Sequence, residues 1–290
     1  MRFWAVLLVL WRLTAPACLQ ADKSPDWTAP LAPFRIADNL YYVGSRDLAA
    51  YLIVTPAGDI LINSNLESSP ALIRRSVEQL GFHFSDIHIL LISHAHFDHD
   101  AGSAEIKRMT GARYVVMDAD VPVVESGGAK DFFYPNDRYP PARVDRVLHD
   151  GDEVRLGRSV LVAHKTPGHT RGCTTWTMRT TQQGKPANVV IVGSWNVNPG
   201  FRLVNKSGKP ASYPGIAEDY RKTFTVLKSL PCDIFLGAHG QYFDMLDKLQ
   251  RANAGAGESV WIDPEGYHKA VAAKEREFEA KLRRQERGGM

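Results

Sequence analysis

Residues 93–102 read Ser-His-Ala-His-Phe-Asp-His-Asp-Ala-Gly, so three of the chain's ten histidines and two carboxylates sit directly behind the apolar run 87–92. A fold can accept such a strand end only if these side chains are solvated, hydrogen-bonded or gathered on a cation. His94 and His96 are two residues apart, and in an extended segment both imidazoles point to the same side. Asp98 and His99 follow where the chain must turn toward a helix expected near Asp100-Ala101-Gly102. A turn lets one short stretch offer ligands in two directions, which suits two adjacent cations better than one. A lone histidine is usually a loop residue or a satisfied core residue; the H-x-H-x-D-H spacing argues against both.

A metal site needs ligands from elsewhere in the chain. His169 in "KTPGHTRGC" follows the strand candidate 159–165, and His239 in "DIFLGAHGQ" follows the apolar run 234–236. Each adjoins glycine at a strand end, where several strands can deliver side chains to one rim. His83, His88, His149, His164 and His268 lack that context and read as structural or exposed.

Short β-rich runs alternate with helical patterns. Strand candidates at 39–44, 49–55 and 59–64 are separated by turn residues, and others fall at 87–92, 113–117, 159–165, 173–178 and 188–193. Helices are expected at 68–81, 101–110, 216–230 and 242–252. The order predicts an α+β chain: two mixed sheets packed face to face with helices outside. The segment from Asp263-Pro264 to Arg287 opens with an N-cap and a first-turn proline, then carries Val271, Phe278 and Leu282 among charges. It reads as an amphipathic surface helix, with a membrane or partner role as the alternative.

The N-terminus is set apart by Arg2, the apolar run Phe3–Trp11 and the small residues "TAPAC". This pattern predicts a secretory signal peptide over residues 1–21, cleaved after Ala17 or Ala21. Its apolar run is shorter than the roughly 20 residues of a membrane-spanning helix. Cys18 raises a lipoprotein alternative, but the expected Leu three residues earlier is missing. Residues 22–290 show no repeat or composition break and are expected to form a single domain. Losing the leader removes Arg2 and Arg12 from a formal net charge of +3. The near-neutral remainder offers no electrostatic case for nucleic acid, and no membrane role is expected after processing. Only Cys173 and Cys232 are certain to survive cleavage, and sequence does not say whether they pair.

"HAHFDH", "PGHT" and "GAH", in this order and spacing, resemble the metallo-β-lactamase superfamily over residues 35 to 255. The resemblance implies an αββα sandwich with two Zn²⁺ at one edge, His94, His96 and His169 holding the first and Asp98, His99 and His239 the second. Many hydrolases of the superfamily, lactonases and glyoxalase II among them, bridge the metals with an Asp. Here "VVIVGSWNVN" has Ser194 at that place, and the zinc-ligating Cys of the first two lactamase subclasses is missing as well. The pattern resembles the third subclass, which uses only His and Asp. It implies an exported, periplasmic, monomeric β-lactamase, with an exported lactonase or thioesterase as the alternative. A water shared by two zinc ions has its pKa lowered to about 7 or below and becomes the nucleophile, with Asp98 as ligand and orienting catalytic residue. Serine acylation would want Ser-x-x-Lys, and "SAEIK" has the wrong spacing.

Departures from the subclass fall at three places. Asn63 stands where an Asp commonly supports a ligating histidine. Phe201 takes the substrate-binding place of a Tyr thought to steady the oxyanion. Ser194 and Asn196 are the candidates for binding the substrate carboxylate. The disulfide common near the C-terminus of the subclass is excluded, since no Cys follows Cys232. The loop 127–143 offers Phe132, Phe133 and Tyr134 as pocket residues, and the stretch 22–38 offers Trp27 and Phe34.

Overall fold

The computed structural model describes residues 25–206 and 208–288, so the leader expected at 1–21 lies outside the described residues. Two sheets form the centre. The first runs in chain order through β1 (Phe34–Ala37), β2 (Leu40–Tyr42), β3 (Tyr51–Ile53), β4 (Asp59–Ile62), β5 (Ile87–Leu91), β6 (Arg113–Met117) and β7 (Arg146–Leu148). It is antiparallel as far as β4 and parallel from there on. The second comprises β8 (Glu153–Leu156), β9 (Ser159–Lys165), β10 (Thr174–Gln182), β11 (Lys185–Val192) and β12 (Ile234–Gly237), with β12 parallel to β11. The helices are α1 (Pro70–Gln79), α2 (Phe97–Asp100), α3 (Ser103–Thr110), α4 (Val121–Glu125), α5 (Ile216–Ser229), α6 (Met245–Arg251) and α7 (Pro264–Arg287).

Both faces of the first sheet are apolar, because each face is covered. Side chains alternate along a strand: Ile60 and Ile62 join Trp176, Met178 and Leu161 between the sheets. Leu61 between them joins Ile73 and Val77 of α1 and Ile106 of α3 on the outer side. This explains why residues 60–62 of β4 are an unbroken buried apolar run. On the far face of the second sheet α7 packs against α5, where the Phe278 ring lies 5.3 Å from Tyr220 and 5.7 Å from Phe224.

Two contacts across the sandwich set the site. The Trp176 indole donates to the Ile92 carbonyl (3.0 Å), and the Thr174 amide donates to that of Ser93 (2.8 Å). The start of β10 is thereby tied to the residues that follow β5.

Asp59, at the start of β4, is buried, and burial lifts its carboxyl to about 6, against the opposing amide of Thr55. In the unfolded chain it titrates near pH 4. A raised folded pKa gives stability that is complete below pH 4 and is lost as pH rises through 6. Asp59→Asn is therefore expected to flatten the pH dependence over that window and to be more stable by about 1–3 kcal/mol at pH 8. Urea melts of both proteins at pH 4.5 and 8 check this; equal slopes would overturn it.

Candidate metal centre

After β5 the chain bends at Ser93 and Ala95, reaches His96 in an extended conformation (φ −95°, ψ 154°) and enters α2 at Phe97. The helical turn starts three residues before the expected position, so Asp98 and His99 are carried on α2 itself, and a ligand atom of each falls within 4.8 Å of one on His94. His169 follows β9 in a turn that needs its glycine: Gly168 has φ +129°, and a Cβ there would lie 2.8 Å from the Tyr220 ring. His239 follows β12 and makes an antiparallel bridge with Leu48, in the connection between β2 and β3. Four ligands thus come from the first sheet and two from the second.

The six predicted ligands converge. Ring centroids of His94, His96 and His169 lie 4.7 to 4.9 Å apart, and one ligand atom from each falls within a 4.8 Å group. The other trio is closer still. His99 Nε2 lies 3.2 Å from His239 Nε2 and 3.4 Å from Asp98 Oδ2, and the latter two are 3.6 Å apart. Ligands about 2.0–2.1 Å from a tetrahedral zinc lie about 3.4 Å from one another. The trios adjoin, with the rings of His94 and His99 4.3 Å apart. His94 Nε2 is buried without a hydrogen-bond partner, as expected of an atom that takes a metal. The residues present therefore fit two metal ions.

The electrostatics agree. Burial, with the neighbouring imidazoles, holds His94 well below its ordinary pKa and takes His169 down to about 3; burial likewise brings His99 to about 3. All three are neutral, the form that ligates. Burial opposes ionisation of Asp98 as well, but the neighbouring imidazoles, His239 with its hydrogen bond and charge above all, hold its pKa below the ordinary carboxylate value. Against burial, Asp47 and Asp98 raise His239 to about 9, so this end of the site attracts positive charge.

The outer partners are side chains that the sequence did not single out. Asp47 Oδ2 accepts from His239 Nδ1 (2.9 Å) and from the Trp27 indole (3.1 Å), and its Oδ1 accepts from the Gln241 amide (3.1 Å). Asp131 Oδ2 faces His96 Nε2 at 3.5 Å, while its Oδ1 caps the amides of Phe133 and Tyr134. Asp120 accepts from the Ala95 amide (3.0 Å), the Thr170 hydroxyl (2.8 Å) and the Gly172 amide (2.8 Å), joining the two loops that carry His94, His96 and His169. Such partners fix ligand orientation. Their only sequence signal was acidity in loops, which many surface residues share.

Asn63 does not touch a ligating imidazole through its side chain. Its Oδ1 accepts from the Ser93 amide (2.8 Å) and its Nδ2 donates to the Ala49 carbonyl (3.1 Å). A carboxylate has no donor for Ala49, so the amide fits this buried place better. Ser93 Oγ, 3.1 Å from His94 Nδ1, is the group that steadies that ring.

A cleft of about 300 Å³ opens over the ligands. Asn196 lines it and donates through Nδ2 to the Tyr242 hydroxyl (3.0 Å). Ser194 is only 1% exposed, and its Oγ lies 3.2 Å from the same hydroxyl, so it faces the cleft through Tyr242. Phe201, also 1% exposed, packs beneath the wall, its ring 4.7 Å from Phe133 and 5.3 Å from Phe132. The expected direct contact of Phe201 with substrate gives way to a supporting place, because Tyr134 and Asn198, linked at 3.0 Å, form the surface above. Trp27 lines the cleft as well, whereas Phe34 stacks between Tyr42 and Trp261. Cys173 and Cys232 are free and buried. A wider groove of about 710 Å³ between α1 and α3 is lined by Arg74, Glu78, Glu105 and Arg108, which pair with one another.

Residues 46–239 match the model of the metallo-β-lactamase superfamily, and the chain belongs to that superfamily of hydrolases. It is similar to native FEZ-1 metallo-β-lactamase from Legionella gormanii, 53% identical over 90% of this chain and 98% of that one, with a TM-score of 0.86. The class B3 di-zinc metallo-β-lactamase LRA-12 from an Alaskan soil metagenome is 36% identical over 89% and 97%, with a TM-score of 0.80. Within the superfamily the chain groups with subclass B3. A hydroxyacylglutathione hydrolase from Cereibacter sphaeroides is 37% identical over 106 residues, 37% of this chain and 33% of that protein. The chain thus spans about a third of the length of that curated relative.

Proposed function

We propose that the protein is an exported β-lactamase that binds two Zn²⁺ and opens the lactam amide of a small antibiotic substrate. The observation that carries this reading is a ligand set of five imidazoles and one carboxylate with Ser194 where many superfamily hydrolases bridge their metals. Likeness to FEZ-1 over nearly the whole chain supports it. When bound, the metals polarise the lactam carbonyl and acidify a water molecule.

The chain's own residues supply the rest. His94, His96 and His169 would hold the first ion, and Asp98, His99 and His239 the second. Asp98, the only anionic ligand, would also accept a hydrogen bond from the attacking water and orient it. Asp47 and Asp131 keep His239 and His96 turned inward. The acidic side chains lining the cleft are Asp98, Asp131 and Asp137, and among the described residues no Lys or Arg lines it. A substrate carboxylate would therefore meet neutral donors, Asn196, Asn198 and the Tyr242 hydroxyl with Ser194 behind it, and would find its counter-charge in the metals. Trp27 and Tyr134 offer apolar surface to the rest of the ligand. Residues 22–290 would act as one periplasmic, monomeric domain. Among the described residues, no helix is long and apolar enough to cross a membrane.

The test is hydrolysis of imipenem or nitrocefin by the mature chain, set beside a homoserine lactone and a glutathione thioester. Lactam turnover should dominate, vanish with a chelator and return with zinc. Chelator-resistant lactam turnover, or preference for the lactone or thioester, would overturn the reading.

A further inference from the structure

We propose that Lys281, on the C-terminal helix, is a positioning residue that holds the substrate-facing wall of the metal cleft in register. The inference rests on the hydrolase reading above and names a residue remote from the ligands. β11 stops at Val192, and the loop that follows carries Asn196 and Asn198 into the cleft. Three successive carbonyls of this loop are held from two directions. The Asn196 carbonyl accepts from His169 Nδ1 (2.9 Å) and from the Tyr220 hydroxyl of α5 (2.6 Å). The next two accept from one ammonium: Lys281 Nζ donates to Val197 (2.9 Å) and to Asn198 (2.7 Å). One turn further along α7, Gln285 donates to the Phe201 carbonyl (2.7 Å) and accepts from the Leu203 amide (2.7 Å).

The loop thus links a metal ligand to the C-terminal helix. Its asparagine side chains continue the chain of contacts, Asn196 to Tyr242 and Asn198 to Tyr134, on the two walls of the cleft. Within the loop the Asn198 carbonyl also accepts from the Phe201 amide (3.1 Å), but carbonyls without strand partners rely chiefly on outside donors, and an ammonium is a strong one. Burial and the nearby Arg284 lower the pKa of Lys281, in keeping with an ammonium drawn out of water onto carbonyls. Docking of α7 does not depend on it, since Tyr267, Val271, Phe278 and Leu282 bury the helix. Removing the ammonium while keeping the stem should therefore free the loop and leave the helix in place.

The experiment compares the zinc-loaded wild type with Lys281→Met, Lys281→Arg and, as a control on the same helix, Lys269→Met, whose lysine pairs only with exposed Glu265. The expected result for Lys281→Met is a nitrocefin KM raised about tenfold with kcat within about threefold, at unchanged zinc content. Amides of residues 195–201 should exchange about tenfold faster. Lys281→Arg should recover most of both effects, and Lys269→Met should match the wild type. Wild-type KM and exchange in Lys281→Met would overturn the proposal. So would a uniform loss of stability that Lys281→Arg does not reverse. A wild type that turns over no lactam removes the hydrolase reading, and the exchange comparison then decides the clamp alone.

Discussion

Asp98→Asn is expected to lower kcat/KM for a lactam about a thousandfold and to leave one strongly bound zinc instead of two. Asp98 is the only anion among the six proposed ligands, and its Oδ2 completes the close trio with His99 and His239. The amide keeps the shape but removes the charge, so the second site becomes three neutral donors around a divalent ion. His94, His96 and His169 should keep their geometry and the first metal, because their rings pack on one another and the hydrogen bonds of His94 and His169 run to Ser93 and the Asn196 carbonyl. The orienting acceptor for water is weakened in the same step. Metal content after dialysis and steady-state kinetics on nitrocefin check both parts. Two retained zinc ions with kcat/KM within tenfold of wild type would refute the assignment.

Asp120→Ala is expected to destabilise the protein by about 3–5 kcal/mol and to weaken the first metal site about 10- to 100-fold. Three buried donors lose their acceptor at once: the Ala95 amide between two ligands, the Thr170 hydroxyl beside a third, and the Gly172 amide. Asp120→Asn should fall between, since one amide oxygen can serve two donors while its NH₂ opposes the remaining one. The sign of the pH dependence follows from burial, which raises Asp120 to about 6. Its own ionisation costs stability as pH rises from 4 through 6, so the gap between wild type and Asp120→Ala should be widest at low pH and narrow toward pH 8. Denaturant melts across that range and zinc competition titrations measure these effects. A loss under 1 kcal/mol with unchanged zinc affinity would sink the account.

The six candidate ligands were legible because each stands at or just beyond the end of an apolar run, where a clustered H-x-H-x-D-H, or a histidine beside glycine, has few other uses. The central strands and larger helices were legible for a related reason: β9 occupies 159–165 as expected, and α5 and α6 lie within their expected ranges. β1, β7 and β8 escaped, being edge or near-edge strands of three or four residues whose alternation is too short to read. The start of α2 was misplaced because a one-turn helix has no periodicity. At the site, Asp47, Asp120, Asp131 and Tyr242 escaped because their roles exist only after folding: each acts on a residue at least 25 positions away. Phe201 was read by its position in a family pattern, and local packing moved that surface to Tyr134.

His94, His96, Asp98 and His99 belong to one layer of the sandwich, and His169 and His239 to the other. Any pair of cations seated among them would be a rivet through the seam at the rim, and metal supply would then govern mechanical cohesion as well as chemistry. Starved of zinc, the molecule should fray first at that edge, where a protease can begin.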